Sequence, residues 1–270
     1  MMPEQNDTAP YPPGVGAIFE IARRLRAPDG CPWDREQTHA SLRPYLLEET
    51  YELLETIDRG DDDGHMLEEL GDVLLQVAMH AAIAEETGRF DAARVSESAA
   101  AKMVARHPHV FGDVEVAGAE EVLRNWEHQK AEEAKRKGRG AETVLDRVPP
   151  TLPALAWTYN MQKRGARVGF DVASREDAAA EVAERARALG ERAGAEPGGE
   201  AETHAVGELL LAVVTLARTL KVNPEDALRA AGREFRDHFA RMDEKAHAHK
   251  LSYRDMGRAQ QRELWAETVG

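Results

Sequence analysis

Residues 45–57 read YLLEETYELLETI, and residues 65–77 read HMLEELGDVLLQV. In both stretches apolar residues recur three and four apart, the period of a helix with one apolar face. The short connection DRGDDDG makes the two helices antiparallel neighbours. Carboxylates crowd the same segments, with Glu48, Glu49, Glu52 and Glu55 on the first helix and Glu69 and Asp72 on the second. Residues three apart share a helix side, so the Glu49/Glu52 and Glu69/Asp72 pairs converge between the helices. Like charges that close raise one another's pKa, and a hard divalent cation reverses the sign of that argument. Mg²⁺ or Mn²⁺ takes oxygen ligands and keeps waters that a phosphate substrate can replace. The competing reading is a solvated acidic face, because E-x-x-E alone is common on exposed helices. Two such pairs on consecutive helices, each beside an apolar stripe, favour the metal, and Gly71 is expected to let the helices approach closely.

The rest of the composition agrees with an all-α protein. The chain has 270 residues, 42% of them hydrophobic, enough for one large domain or two small ones. Ala, Glu, Leu and Arg abound, and no alternating or Val/Ile-rich strand pair stands out. A formal net charge of −14 disfavours nucleic-acid partners, which call for clustered Lys and Arg. No apolar run approaches the roughly 18 residues of a membrane span, and the polar start MMPEQNDTAPYPP has no signal-peptide core. A cytoplasmic protein without membrane partners is expected. The one cysteine, Cys31, excludes an internal disulfide, and no base stands in a motif-like relation to it.

Along the chain, a disordered start over 1–16 precedes an amphipathic helix, GAIFEIARRLRA, which PDGCPWD ends. Helices are predicted over 41–57, 66–86, 93–107 and 119–136. Charge, Gly and paired prolines in EEAKRKGRGAETVLDRVPPTLP mark a linker over 137–152, with the domain boundary near residue 145. GDVLLQVAMHA from Gly71 is echoed by GELLLAVVTLA from Gly207, and Trp126 and Trp265 come after them at nearly equal distances. The chain is therefore expected to hold two diverged copies, over 17–136 and 153–270, with a longer loop inside the second hairpin at GERAGAEPGGEAETHA.

GCPWDREQTHASLRPYLLEETYELLETI, EELGDVLLQV, KMVARHPHVFGD, VLRNWEHQK and MQKRGARVGFD together resemble the MazG family of nucleoside triphosphate pyrophosphohydrolases in its tandem two-domain form. The resemblance runs from about residue 17 to the C-terminus. It implies an all-α enzyme that cuts between the α and β phosphates of a nucleoside triphosphate with Mg²⁺, and a homodimer whose domains complete a four-helix bundle. By the same resemblance Glu49, Glu52, Glu69 and Asp72 hold the metal, while Lys102, Arg106, Trp126 and Lys130 contact phosphate and nucleotide. Glu48 or Glu49 is a candidate to accept the proton of the attacking water. Trp33, in GCPWD, either anchors a helix-stop loop with Asp34 or Thr38 capping the next helix, or borders the base pocket. His107 and His109 in HPHV read as a structural turn ahead of a zinc site.

The second copy departs from this pattern. Arg185 and Ala188 stand where the first copy has Glu49 and Glu52, and Ala205 and Glu208 where it has Glu69 and Asp72. Glu234 and His238 replace Lys102 and Arg106, and Val269 replaces Lys130. A folded but catalytically silent domain that packs, dimerises or regulates is expected there. Two rivals remain open. A di-iron carboxylate bundle needs E-x-x-H pairs beside the acidic pairs, whereas Glu36/His39 and Glu244/His247 lie elsewhere. A nucleotide-binding sensor or interaction module would bind triphosphate without turnover.

Overall fold

The computed structural model describes residues 14–60, 62–136, 138, 143–171, 174–191 and 198–268. The expected disordered residues 1–13, most of the linker's Gly-rich part, the tip of the long second-hairpin loop and Val269 lie outside them. Every regular element among the described residues is a helix, and none is a strand. None of their helices is long and apolar enough to cross a membrane. The chain divides into two compact units, Met1–Lys135 and Arg136–Gly270.

In the first unit, α1 (Gly16–Arg26) leads through a short α2 (Pro32–Glu36) to the acidic hairpin of α3 (Arg43–Arg59) and α4 (Asp63–Glu86). Then come α5 (Ala92–Arg106), α6 (Pro108–Phe111) and α7 (Ala119–Arg136). The hairpin ends are punctuated by chemistry. Gly60 closes α3 in the left-handed region at φ 64°, where glycine carries no Cβ penalty. Asp62 opens α4 by accepting from Gly64 N and His65 N at 2.9 and 3.1 Å, three residues earlier than the apolar period predicts. Both α1 and α3 pack on α4. Between α1 and α4 the core is built of Ala22, Leu42, Ala78, Met79, Ala82 and Ile83, and its alanines let the backbones approach.

Two local expectations change, and the reading of HPHV stands. GCPWD is not a bare loop, because Pro32–Glu36 makes a helical turn, as suits Pro at a first helical position. Gly30 sets that turn, since a Cβ there would stand 2.2 Å from Leu25 O. Gly71 does not serve close helix packing: it is exposed, and a Cβ would meet nothing within 4 Å, because the hairpin's contact face runs through Asp72 and its neighbours instead. HPHV forms the short α6, with His107 Nδ1 against Met103 O at 2.7 Å, a structural turn.

The second unit repeats the plan with α8 (Ala154–Arg167), the hairpin α9 (Arg175–Glu191) and α10 (Glu200–Thr219), then α11 (Pro224–Ala248) and α12 (Arg258–Ala266). α8 packs on α10 as α1 does on α4. Val148, from the segment read as linker, is 3% exposed, so its C-terminal end is packed.

Candidate functional site

Glu49, Glu69 and Asp72 bring one carboxylate oxygen each to within 4.8 Å of one another. The hairpin register explains the meeting. Glu49 and Asp72 lie at matching distances from the turn, as do Glu52 and Glu69, so antiparallel pairing sets them opposite each other. All three residues of the cluster are half-buried, and Glu69 Oε2 is enclosed without a hydrogen-bond partner. Burial pushes the Glu49 pKa above its ordinary 4.5, and Asp72, Glu52 and Glu48 push the same way. Glu69 is raised for the same reasons, first burial and then Glu52, Asp72 and Glu68, with His65 opposing. Glu52 is exposed at the rim and acts on both raised carboxyls, while Glu48 is exposed beside Glu49.

These residues fit a divalent cation. Oxygen–Mg²⁺ bonds of roughly 2.0–2.1 Å set ligand oxygens about 3 Å apart when adjacent and about 4.2 Å apart when opposite, so three oxygens within 4.8 Å of one another stand close to such an arrangement. The enclosed Glu69 oxygen lacks a donor that a cation would replace. The sign of the shifts supplies a pH test. Raised carboxyl pKa values mean that the folded unit holds protons more tightly than the unfolded chain. Stability from these groups is therefore present near and below 4.5 and is lost as pH climbs through the raised values. His80, lowered by burial and by His39, works oppositely, losing stability as pH falls below 6.5, with or without cation. The rise in unfolding midpoint on adding Mg²⁺ or Mn²⁺ to chelator-treated protein should grow between about pH 5 and about pH 7.5. A pH-independent increment would contradict the assignment.

A second group gathers on α5 and α7. Arg106 pairs with Glu133 at 2.6 Å, with the two side chains 15% and 24% exposed. Its guanidinium lies 6.0 Å from the Trp126 ring, and His107 meets that ring edge-on at 4.9 Å. Lys130, one turn beyond Trp126, is half-buried, whereas Lys102 is exposed on α5. Arg106 and Trp126 are thus brought together, and the Glu133 bond to Arg106 had no signal in the spacing. Trp33 stands edge-on to Tyr45 at 5.8 Å and is 52% exposed.

Sequence reasoning also missed the continuation of the acidic side of α4. Glu69, Asp72, Gln76 and His80 succeed one another three or four residues apart, so one polar stripe crosses an otherwise apolar helix. His80 Nδ1 bonds His39 Nδ1 at 2.7 Å, and Arg89 meets the other nitrogen of His39. Polar residues at helical spacing inside LLQVAMHA were the available signal.

In the second unit, at the places of Glu49 and Asp72, Arg185 and Glu208 form an ion pair, and Glu181 binds the same guanidinium at 2.8 Å. A side-chain cation sits among the carboxylates there. Trp265 meets Phe235 at 5.2 Å and His238 at 5.7 Å, and His238 stands at the place that Arg106 takes beside Trp126.

Comparison with known proteins bears on both units. The model of the MazG nucleotide pyrophosphohydrolase domain matches residues 37–111, the segment that carries the acidic hairpin and α5. The chain is 40% identical over 260 residues to the nucleoside triphosphate pyrophosphohydrolase/pyrophosphatase MazG of Thermotoga maritima, covering 95% of this chain and 97% of that protein. It is 38% identical over 255 residues to the nucleoside triphosphate pyrophosphohydrolase of Escherichia coli, covering 94% and 96%. An uncharacterized Bacillus subtilis protein, YabN, is 43% identical over 247 residues, which are 92% of this chain and 50% of that one. With identity of this level running through both helical units, the chain belongs to the MazG nucleotide pyrophosphohydrolase family.

Proposed function

We propose that the protein hydrolyses nucleoside and deoxynucleoside triphosphates to the monophosphate and pyrophosphate, with the chemistry in the first unit. The observation that carries this reading is the convergence of Glu49, Glu69 and Asp72 inside the matched family segment, with Glu69 Oε2 enclosed and unpartnered. Glu49, Glu52, Glu69 and Asp72 would hold Mg²⁺, or Mn²⁺ in its place. Such an ion neutralises phosphate charge and makes water a better nucleophile at neutral pH.

The chain's own residues supply the rest. Glu49 belongs to the cluster, which leaves Glu48, exposed next to it, as the carboxylate that takes the proton from the attacking water. Water adds to the α phosphorus, the bond to the bridging oxygen breaks, and pyrophosphate leaves. Lys102, Arg106 and Lys130 offer positive charge to the polyphosphate chain, and Trp126 or Trp33 offers a ring face to the base. The second unit lacks an equivalent carboxylate set, and its Arg185–Glu208 pair supports a silent structural or regulatory role.

Apolar stripes left open on the hairpins support a homodimer. Leu47, Leu54 and Ile57 on α3 and Leu67, Leu70 and Val77 on α4 are 38–65% exposed, and residues so spaced on a helix form one face. The same reading places the protein in the cytoplasm, without nucleic-acid or membrane partners.

Turnover in oxygen-18 water tests the chemistry. Label in the nucleoside monophosphate and none in pyrophosphate is the expected result. Orthophosphate with a nucleoside diphosphate, or label in the pyrophosphate, would refute it.

A further inference from the structure

The polar stripe of α4 continues beyond the carboxylates to Gln76, which is 8% exposed and whose Oε1 is enclosed without a hydrogen-bond partner. A buried acceptor left unpaired is destabilising, so such groups call for an explanation. Gln76 lies four residues past Asp72 on the same helix side. Helical side chains lean toward the helix N-terminus, which carries its amide back over the turn of Asp72. The hairpin register sets Tyr45 of α3 opposite Gln76, and Tyr45 holds Trp33 edge-on. From the turn outward, the hairpin therefore presents carboxylates, then one buried acceptor, then an aromatic pair.

The second unit sharpens the point. Ala212 occupies the place of Gln76 and is 2% exposed, and Leu216 occupies that of His80. At this position the carboxylate set and the buried acceptor are lost together, although the helix still packs; the enclosed unpartnered amide oxygen of the second unit, Gln162 Oε1, stands on α8 instead. Burial at this position does not require an amide.

We propose that Gln76 Oε1 accepts a hydrogen bond from the nucleoside part of the substrate and determines specificity there. Phosphate oxygens at neutral pH carry no proton to donate, so among the substrate's own groups the triphosphate cannot satisfy it, and a donor from water on the cation would show as a loss uniform across substrates. Sugar hydroxyls and base N–H groups are the donors next along a nucleotide. The sugar hydroxyl stands nearer, since Asp72 and Gln76 are separated by four residues, a rise of about 6 Å along the helix. This inference rests on the triphosphate reading of the same site.

The test pairs a side-chain change with substrate changes. In the full chain, kcat/KM is measured for wild type and Gln76→Met with a ribonucleoside triphosphate, its 2′-deoxy and 2′,3′-dideoxy forms, and a base analogue lacking the exocyclic amine. Calorimetric affinities for the α,β-methylene forms of the same series give a readout without turnover. Gln76→Met should weaken both by about tenfold for the parent nucleotide. The two proteins should converge on the substrate that lacks the donor, the dideoxy form for a sugar hydroxyl or the base analogue for an N–H. The unfolding midpoint should not fall, because Met is of similar volume and removes an unpaired polar group. A loss uniform across all substrates, or none, would overturn the proposal. A wild type that neither cleaves nor binds any triphosphate would instead refute the reading beneath it.

Discussion

Asp72→Asn is expected to lower pyrophosphate release by roughly 10²- to 10³-fold, the effect of removing about 3–4 kcal/mol of charge stabilisation from the reacting phosphate. Asn keeps the shape and one oxygen but not the charge. Asp72 is also the first carboxylate to act on Glu49 after burial itself. The same substitution should therefore raise the unfolding midpoint of chelator-treated protein at neutral pH, because it removes a like charge from a half-buried cluster. Opposite movements of activity and metal-free stability are the signature of a site that is repulsive until a cation arrives. If Asp72→Asn kept its activity, or lost it together with stability, Asp72 would be a structural residue. Rates and thermal unfolding, each with cation and with chelator, decide between these.

Arg26→Ala should have the largest effect on the fold, destabilising the first unit by about 3 kcal/mol and lowering its midpoint by roughly 10 °C. The Arg26 side chain is 5% exposed and grips Glu86 of α4 with two nitrogens, at 2.6 and 2.7 Å. A third nitrogen donates to Asp34 O at 2.5 Å and Gln37 O at 3.0 Å, which fastens α2 and its Trp33 to the α1/α4 core. Truncation strands those acceptors and leaves Glu86 without its guanidinium, and Glu86 is 44% exposed, which holds the figure at the low end for broken pairs. Arg26→Lys should recover little, because one ammonium cannot replace the planar fork. Denaturant unfolding checks both variants; a change below about 1 kcal/mol for Arg26→Ala would show that α2 is held by other contacts.

How much of this could be read from the residues depends on how local the physics is. The hairpin was legible because Gly60 and the Asp-rich connection punctuate two strong apolar periods, and the pairing of Glu49 with Glu52 and of Glu69 with Asp72 comes from helical spacing alone. Convergence of Glu49 with Asp72 needed the register as well. Arg26, His39 with His80, and Arg106 with Glu133 were not legible, because each joins residues that only tertiary packing brings together. Gly71 misled for a related reason. A glycine in a helix marks close approach only where another element faces it, and within this chain none does. Gln76 was hidden by its setting, since one amide among leucines and valines reads as a tolerated exception until its unpaired oxygen is seen.

One comparison separates the roles of the two units. Pyrophosphate release from a panel of ribo- and deoxyribonucleoside triphosphates with Mg²⁺ would be measured for wild type, Glu52→Ala and Glu208→Ala. Wild type should release pyrophosphate, Glu52→Ala should lose that activity, and Glu208→Ala, whose carboxylate pairs with Arg185, should keep an unchanged rate. Loss of activity in Glu208→Ala, or its survival in Glu52→Ala, would contradict this division of roles.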